Sequence, residues 1–132
     1  MGKMSKQKGK RGEREVKNLH NEFLIDQGLD IRLERNQMQS AVGGYDLVGL
    51  DFLAIEVKHC EVFQLTKWWA QTMNQMKDGQ TPVLFYRRNR VPWRVMMIGC
   101  VGNDEPAMII DIAVDDYFRW LATKLRSLKS ED

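Results

Sequence analysis

The segment Tyr-Asp-Leu-Val-Gly-Leu-Asp-Phe-Leu-Ala-Ile-Glu-Val-Lys, residues 45–58, constrains this chain most. Leu47, Val48, Leu50, Phe52, Leu53, Ala54, Ile55 and Val57 read as strands that fill a core. Asp46, Glu56 and Lys58 interrupt them, and unpaired charge inside a core is costly. Glu56 and Lys58 are two apart on a strand, so they share a face. Asp46 joins that face if it opposes Glu56. That register needs Gly49 opposite Leu53, with a three-residue turn at Leu50-Asp51-Phe52. A two-residue turn at Leu50-Asp51 turns Asp46 away, unless Gly49 supplies a bulge.

Two carboxylates a few Å apart repel, and both stay ionised only near positive charge. A hard divalent cation supplies it and takes oxygen ligands. A lysine beside them can hold a phosphate or a water. Together these groups suit metal-assisted attack of water on a phosphodiester. The bland alternative is a solvent-facing Glu56–Lys58 ion pair on a half-exposed strand.

The rest of the chain predicts one α/β domain. Residues 1–10 hold little to bury and read as a flexible basic tail, with a single domain over 11–132. A helix is expected from near Arg11 to Gly28, with Val16, Leu19, Phe23 and Leu24 inward. Strands are expected at 29–35, 45–50, 52–59, 82–88, 93–101 and 108–112, and further helices at 62–78 and 113–128, the last capped by Asp115 or Asp116. With Val16 at the centre of the first helix's buried stripe, Glu13 lies about 60° away and Glu15 about 100°. Glu13 thus stands at the margin of the buried face, and Glu15 points to solvent.

Net charge is only +2, but it is unevenly spread. Residues 1–17 carry seven cations against Glu13 and Glu15, a local excess of +5. Arg87, Arg88, Arg90 and Arg94 form a second cluster, with no acid between residues 83 and 103. Such polarity attracts phosphate. Cys60 and Cys100 lack zinc-site spacing. No apolar run is long enough to span a membrane, and the basic N-terminus lacks a signal peptide's apolar centre. A cytoplasmic location, the source cell's own or a host's cytoplasm, is expected.

Lys-Gly-Lys-Arg-Gly-Glu-Arg-Glu at 8–15, Gly-Gly-Tyr-Asp-Leu-Val at 43–48 and Ala-Ile-Glu-Val-Lys at 54–58 occur in that order. In this the chain resembles the archaeal-type Holliday junction resolvases of the PD-(D/E)xK nuclease superfamily, as a phage-like member, over about residues 8–100. Tyr45 stands where the superfamily motif has proline, and the short Asp-to-Glu interval implies a tight hairpin. The resemblance implies a restriction-endonuclease-like fold, a central mixed sheet flanked by helices. It implies catalysis by Glu13, Asp46, Glu56 and Lys58. Mg²⁺, replaceable by Mn²⁺, would sit on Asp46, Glu56 and the Val57 carbonyl, with Glu13 holding a metal-bound water or second ion. Lys8, Lys10, Arg11, Arg14, Arg35, Ser40, Arg87 and Arg88 are the expected DNA contacts. The substrate is expected to be branched DNA, four-way junctions above all, cut by a homodimer. Gln71 is a further candidate near the site, and Trp68 or Trp69 a candidate interface residue. A nicking, flap or restriction-like nuclease, or a non-catalytic DNA-binding protein, is the alternative.

Overall fold

A computed structural model describes residues 2–37, 45–100, 102 and 107–130, with side chains from residue 9 to residue 129 within these. The order is α1 (Gly2–Asp26), β1 (Glu34–Arg35), β2 (Leu47–Val48), β3 (Leu53–His59), α2 (Leu65–Gln75), β4 (Thr81–Arg87), β5 (Arg94–Gly99), β6 (Met108–Ala113) and α3 (Val114–Ser130). The strands form one sheet in sequence order. The β3–β4 pair is parallel, with α2 as its crossover, and the other neighbours are antiparallel. This is the mixed sheet flanked by helices that the sequence implies.

Alternation along the strands sorts side chains between two cores. Ile55, Val57, Val83, Phe85, Val95 and Met97 face α1 and α3, where Val16, Tyr117 and Leu121 close over them. Leu84, Tyr86 and Met96 face α2, which lays Trp68, Trp69 and Met73 on them. Full burial of a large apolar side chain contributes ~1.5–3 kcal/mol, so these two layers carry the fold. Trp68 and Trp69 are 5% and 8% exposed, and both belong to the core. Strand residues 83–86 are likewise buried. The apolar surface left open on the sheet is Ile98, Met108 and Ile109.

Three boundaries depart from expectation. The first helix begins at Gly2, well before Arg11, so the backbone of residues 2–10 is helical and not an irregular tail. Lys, Gln and Met in this stretch are good helix formers and need no buried face to be so. The strand expected over 29–35 shrinks to Glu34–Arg35. Side chains satisfy the preceding backbone instead: Asn21 bonds both the N–H and the carbonyl of Leu33, and Arg32 bonds the carbonyls of Leu29 and Ile31. The last helix starts at Val114, which puts Asp115 and Asp116 inside its first turn, where they complement the helix dipole.

The hairpin settles the register. Leu47 pairs with Ile55, the alignment that opposes Asp46 to Glu56. Its tip is tighter than expected, because the Leu53 N–H donates to the Leu50 carbonyl at 3.0 Å. Ladder and turn are therefore one residue out of step. Gly49, at φ 137°, absorbs the difference. A Cβ there would lie 2.5 Å from the Arg32 carbonyl oxygen, so only glycine fits.

Candidate active site

Asp46 is fixed from three sides. Its N–H donates to the Ile55 carbonyl at 2.8 Å, and its carbonyl accepts the Asn36 N–H at 2.8 Å. Its Oδ2 accepts the Val57 N–H at 2.8 Å. The side chain thereby completes the ladder where regular pairing of β2 and β3 lapses, and the carboxylate lies over β3. Asn36 also bonds the Tyr45 carbonyl, and Gln80 bonds the Tyr45 hydroxyl, so the approach to Asp46 is braced.

Asp46 is 7% and Glu56 3% exposed. Burial first, and then the charge of Asp46, push the Glu56 carboxyl well above its usual range, against the pull of Lys58. Lys58 stands half-buried beside the pair. Glu13 approaches from α1, and its carboxyl is also raised, by burial and then by Asp46. Arg35 opposes that rise, its Nε 3.1 Å from Glu13 Oε1. Three acids, one on α1, one just before β2 and one on β3, thus feel one another's charge.

Among the described residues, no three His, Cys, Asp or Glu side chains form a group that could hold a metal ion. Two carboxylates do meet, with oxygen atoms only and an excess of buried negative charge. That donor set fits a hard dication completed by a backbone carbonyl and water. A bound dication would relieve the repulsion that raises Glu56.

The sequence from residue 4 to residue 132 matches the family model described as "Phage putative PDDEXK endonuclease". The chain belongs to this endonuclease family. Nucleases of the PD-(D/E)xK type act on nucleic acid with divalent metal ions. The fold is similar to that of the Archaeoglobus fulgidus Hjc structure, described as a Holliday junction resolvase from an archaeal hyperthermophile. The TM-score is 0.50 at 19% identity, over 84% of this chain and 95% of that one. No curated protein matches the chain.

The other expected residues of this endonuclease are placed as follows. Lys10, Arg11, Arg14 and Arg88 are exposed, and Arg88 lies over the Phe63 ring. Arg35 is turned to Glu13. Arg87 is mostly enclosed, over the Trp93 ring and 3.5 Å from Glu15. Ser40 and the Lys8 side chain lie outside the described residues. Gln71 is half-buried, with its Oε1 shielded from water and lacking a partner among the described residues. His59 points to the face opposite Lys58, packed on Trp93 and bonded to Asn89.

Glu15 does not point into solvent. The Trp93 indole N–H donates to it at 3.1 Å. Sequence reasoning also missed the group formed by Tyr86, Asp111 and Arg94. The Tyr86 hydroxyl and Arg94 Nε both donate to the Asp111 carboxylate across β4, β5 and β6. Both contacts join residues far apart in the chain, and no local pattern announces either.

Proposed function

We propose that this chain is a Mg²⁺-dependent endodeoxyribonuclease that cuts branched DNA, four-way junctions first. The observation that carries the reading is the buried Asp46–Glu56 pair, held in register at the sheet's end with Lys58 beside it. Buried paired acids are costly to a fold and useful to metal chemistry.

Asp46, Glu56 and the Val57 carbonyl would hold the ion, and Glu13 would position a water from the helix side. A bound Mg²⁺ or Mn²⁺ would supply Lewis acidity at the phosphate and lower the pKa of water. Lys58 orients the attacking water and stabilises charge as it builds on the phosphate oxygens. The water oxygen forms the new bond to phosphorus, and the bond to the departing sugar oxygen breaks. Residues 11–132 act as one nuclease domain. Its place of action is the cytoplasm, consistent with the absence, among the described residues, of a helix long and apolar enough to cross a membrane.

Resolving a junction takes two cuts, and one chain offers one Asp46–Glu56 acid pair, so a twofold dimer is the working form. The open apolar residues Ile98, Met108 and Ile109 are its contact surface. Incubation with linear duplex, flap and four-way junction, with and without Mg²⁺, tests the whole reading. Paired cuts in the junction only, with metal, are expected. Cutting of flap or duplex in preference moves the assignment to another nuclease of this fold. Binding without cutting leaves a DNA-binding protein.

A further inference from the structure

We infer that Glu15 is a positioning residue. It braces the arginine loop at 88–92 against α1, so that Arg90 joins Lys10, Arg11 and Arg14 in one phosphate-binding cradle. This rests on the reading of the chain as a DNA nuclease.

Glu15 Oε2 receives the Trp93 indole N–H at 3.1 Å and stands 3.5 Å from Arg87 NH1. The Arg87 guanidinium lies 5.3 Å over the Trp93 ring, so one carboxylate oxygen organises both ends of the loop. Beneath it, α1 touches the loop base directly. A Cβ on Gly12 would come 3.1 Å from the His59 Cβ and 3.3 Å from the Trp93 ring. The loop has two further anchors. His59 Nε2 and Asn89 Oδ1 are 2.9 Å apart, and the Asn89 N–H reaches the Glu61 carboxylate at 3.2 Å. At the tip, Arg90 has φ 64°, a left-handed conformation that a side chain adopts only when its neighbours hold it there.

An acid beside Arg87, on a helix that also carries Arg11 and Arg14, weakens a phosphate-binding surface by charge. By geometry it builds one, because it joins two basic segments that lie more than 70 residues apart in the sequence. Both segments stand at the end of the sheet that carries Lys58, since Gly12 packs on Val57 and His59. The two effects have opposite signs, which makes the role testable.

Binding of a labelled four-way junction and a linear duplex is measured by fluorescence anisotropy in EDTA, across a salt series. Charge alone makes Glu15→Ala bind more tightly. The positioning role makes it bind about fivefold more weakly. The log–log salt slope should become shallower by ~1 as the Arg90 contact is lost. Glu15→Gln, whose amide oxygen still accepts the indole N–H, should bind at least as tightly as the parent. Trp93→Phe, which keeps a ring and changes no charge, should weaken binding as Glu15→Ala does. It decides the matter if Glu15→Ala does not fold. Binding by folded Glu15→Ala or Trp93→Phe that equals or exceeds the parent's overturns the positioning role alone. Failure of the parent chain to bind either DNA overturns the nuclease reading as well.

Discussion

The Asp46 carboxylate accepts the Val57 N–H at 2.8 Å, so the side chain proposed as a metal ligand also serves as a ladder bond. An amide oxygen can accept the same N–H, so Asp46→Asn should preserve the hairpin while removing the charge. We expect Asp46→Asn and Glu56→Gln each to lower cleavage at least ~100-fold while junction binding persists. Strong cleavage in EDTA contradicts the metal mechanism.

Metal binding should also register without any substrate. A ligand at ten times its Kd stabilises the folded state by ~1.4 kcal/mol. Mg²⁺ should therefore raise the melting temperature of the parent chain by a few degrees. Asp46→Asn and Glu56→Gln should show little of this shift, since each loses a charged ligand. Equal shifts in all three proteins place the metal elsewhere.

His20 sets a separate pH dependence. It is fully buried, with Nδ1 donating to the Val16 carbonyl and Nε2 accepting the Tyr117 hydroxyl. Burial lowers its pKa to about 4. The unfolded chain binds this proton more readily, from its ordinary value of 6.5 downward. Stability is thus fully present above pH 6.5 and falls as pH drops toward 4. The loss should be on the order of 3 kcal/mol. Urea melts at pH 7, 5.5 and 4 measure it. His20→Gln should flatten the pH dependence, at some cost in stability at pH 7. An unchanged slope in that variant assigns the acid sensitivity to other groups.

The N-terminal half-turns of α1 carry Lys3, Lys6, Lys8 and Lys10. Deleting residues 1–10 should weaken DNA binding and flatten its salt dependence by ~0.9 in log–log slope for each lost contact. A slope equal to that of the full chain leaves the affinity to Arg11, Arg14 and the arginine loop.

Ile98 and Ile109 pair across β5 and β6 and are 38% and 54% exposed. If they centre the dimer, Ile109→Asp should yield monomers by light scattering at tens of micromolar. A durable interface buries at least ~1,000 Å² with an apolar middle. Junction nicking should survive in that variant while paired cutting is lost. A parent chain that is monomeric with and without junction DNA rules out the paired-site mechanism.

The sequence by itself determined the elements that rest on periodicity and spacing. The order of helices and strands follows from apolar patterning, and the parallel β3–β4 crossover fits the helix between them. Asp46, Glu56 and Lys58 are legible because a charge inside an apolar strand demands a reason, and Glu13 because it falls at the edge of a helical stripe. The hairpin register remained open between two turns. Tertiary structure chose it, through Gly49 at a φ that other residues avoid and through the Asp46 bond to Val57. Long-range partners were illegible for the same reason. Arg35 on Glu13, Trp93 on Glu15 and Asp111 under Tyr86 are contacts between residues distant in the chain. Their free energy appears only once two cores have brought the elements together, and a pattern with a period of two or 3.6 residues carries no trace of it.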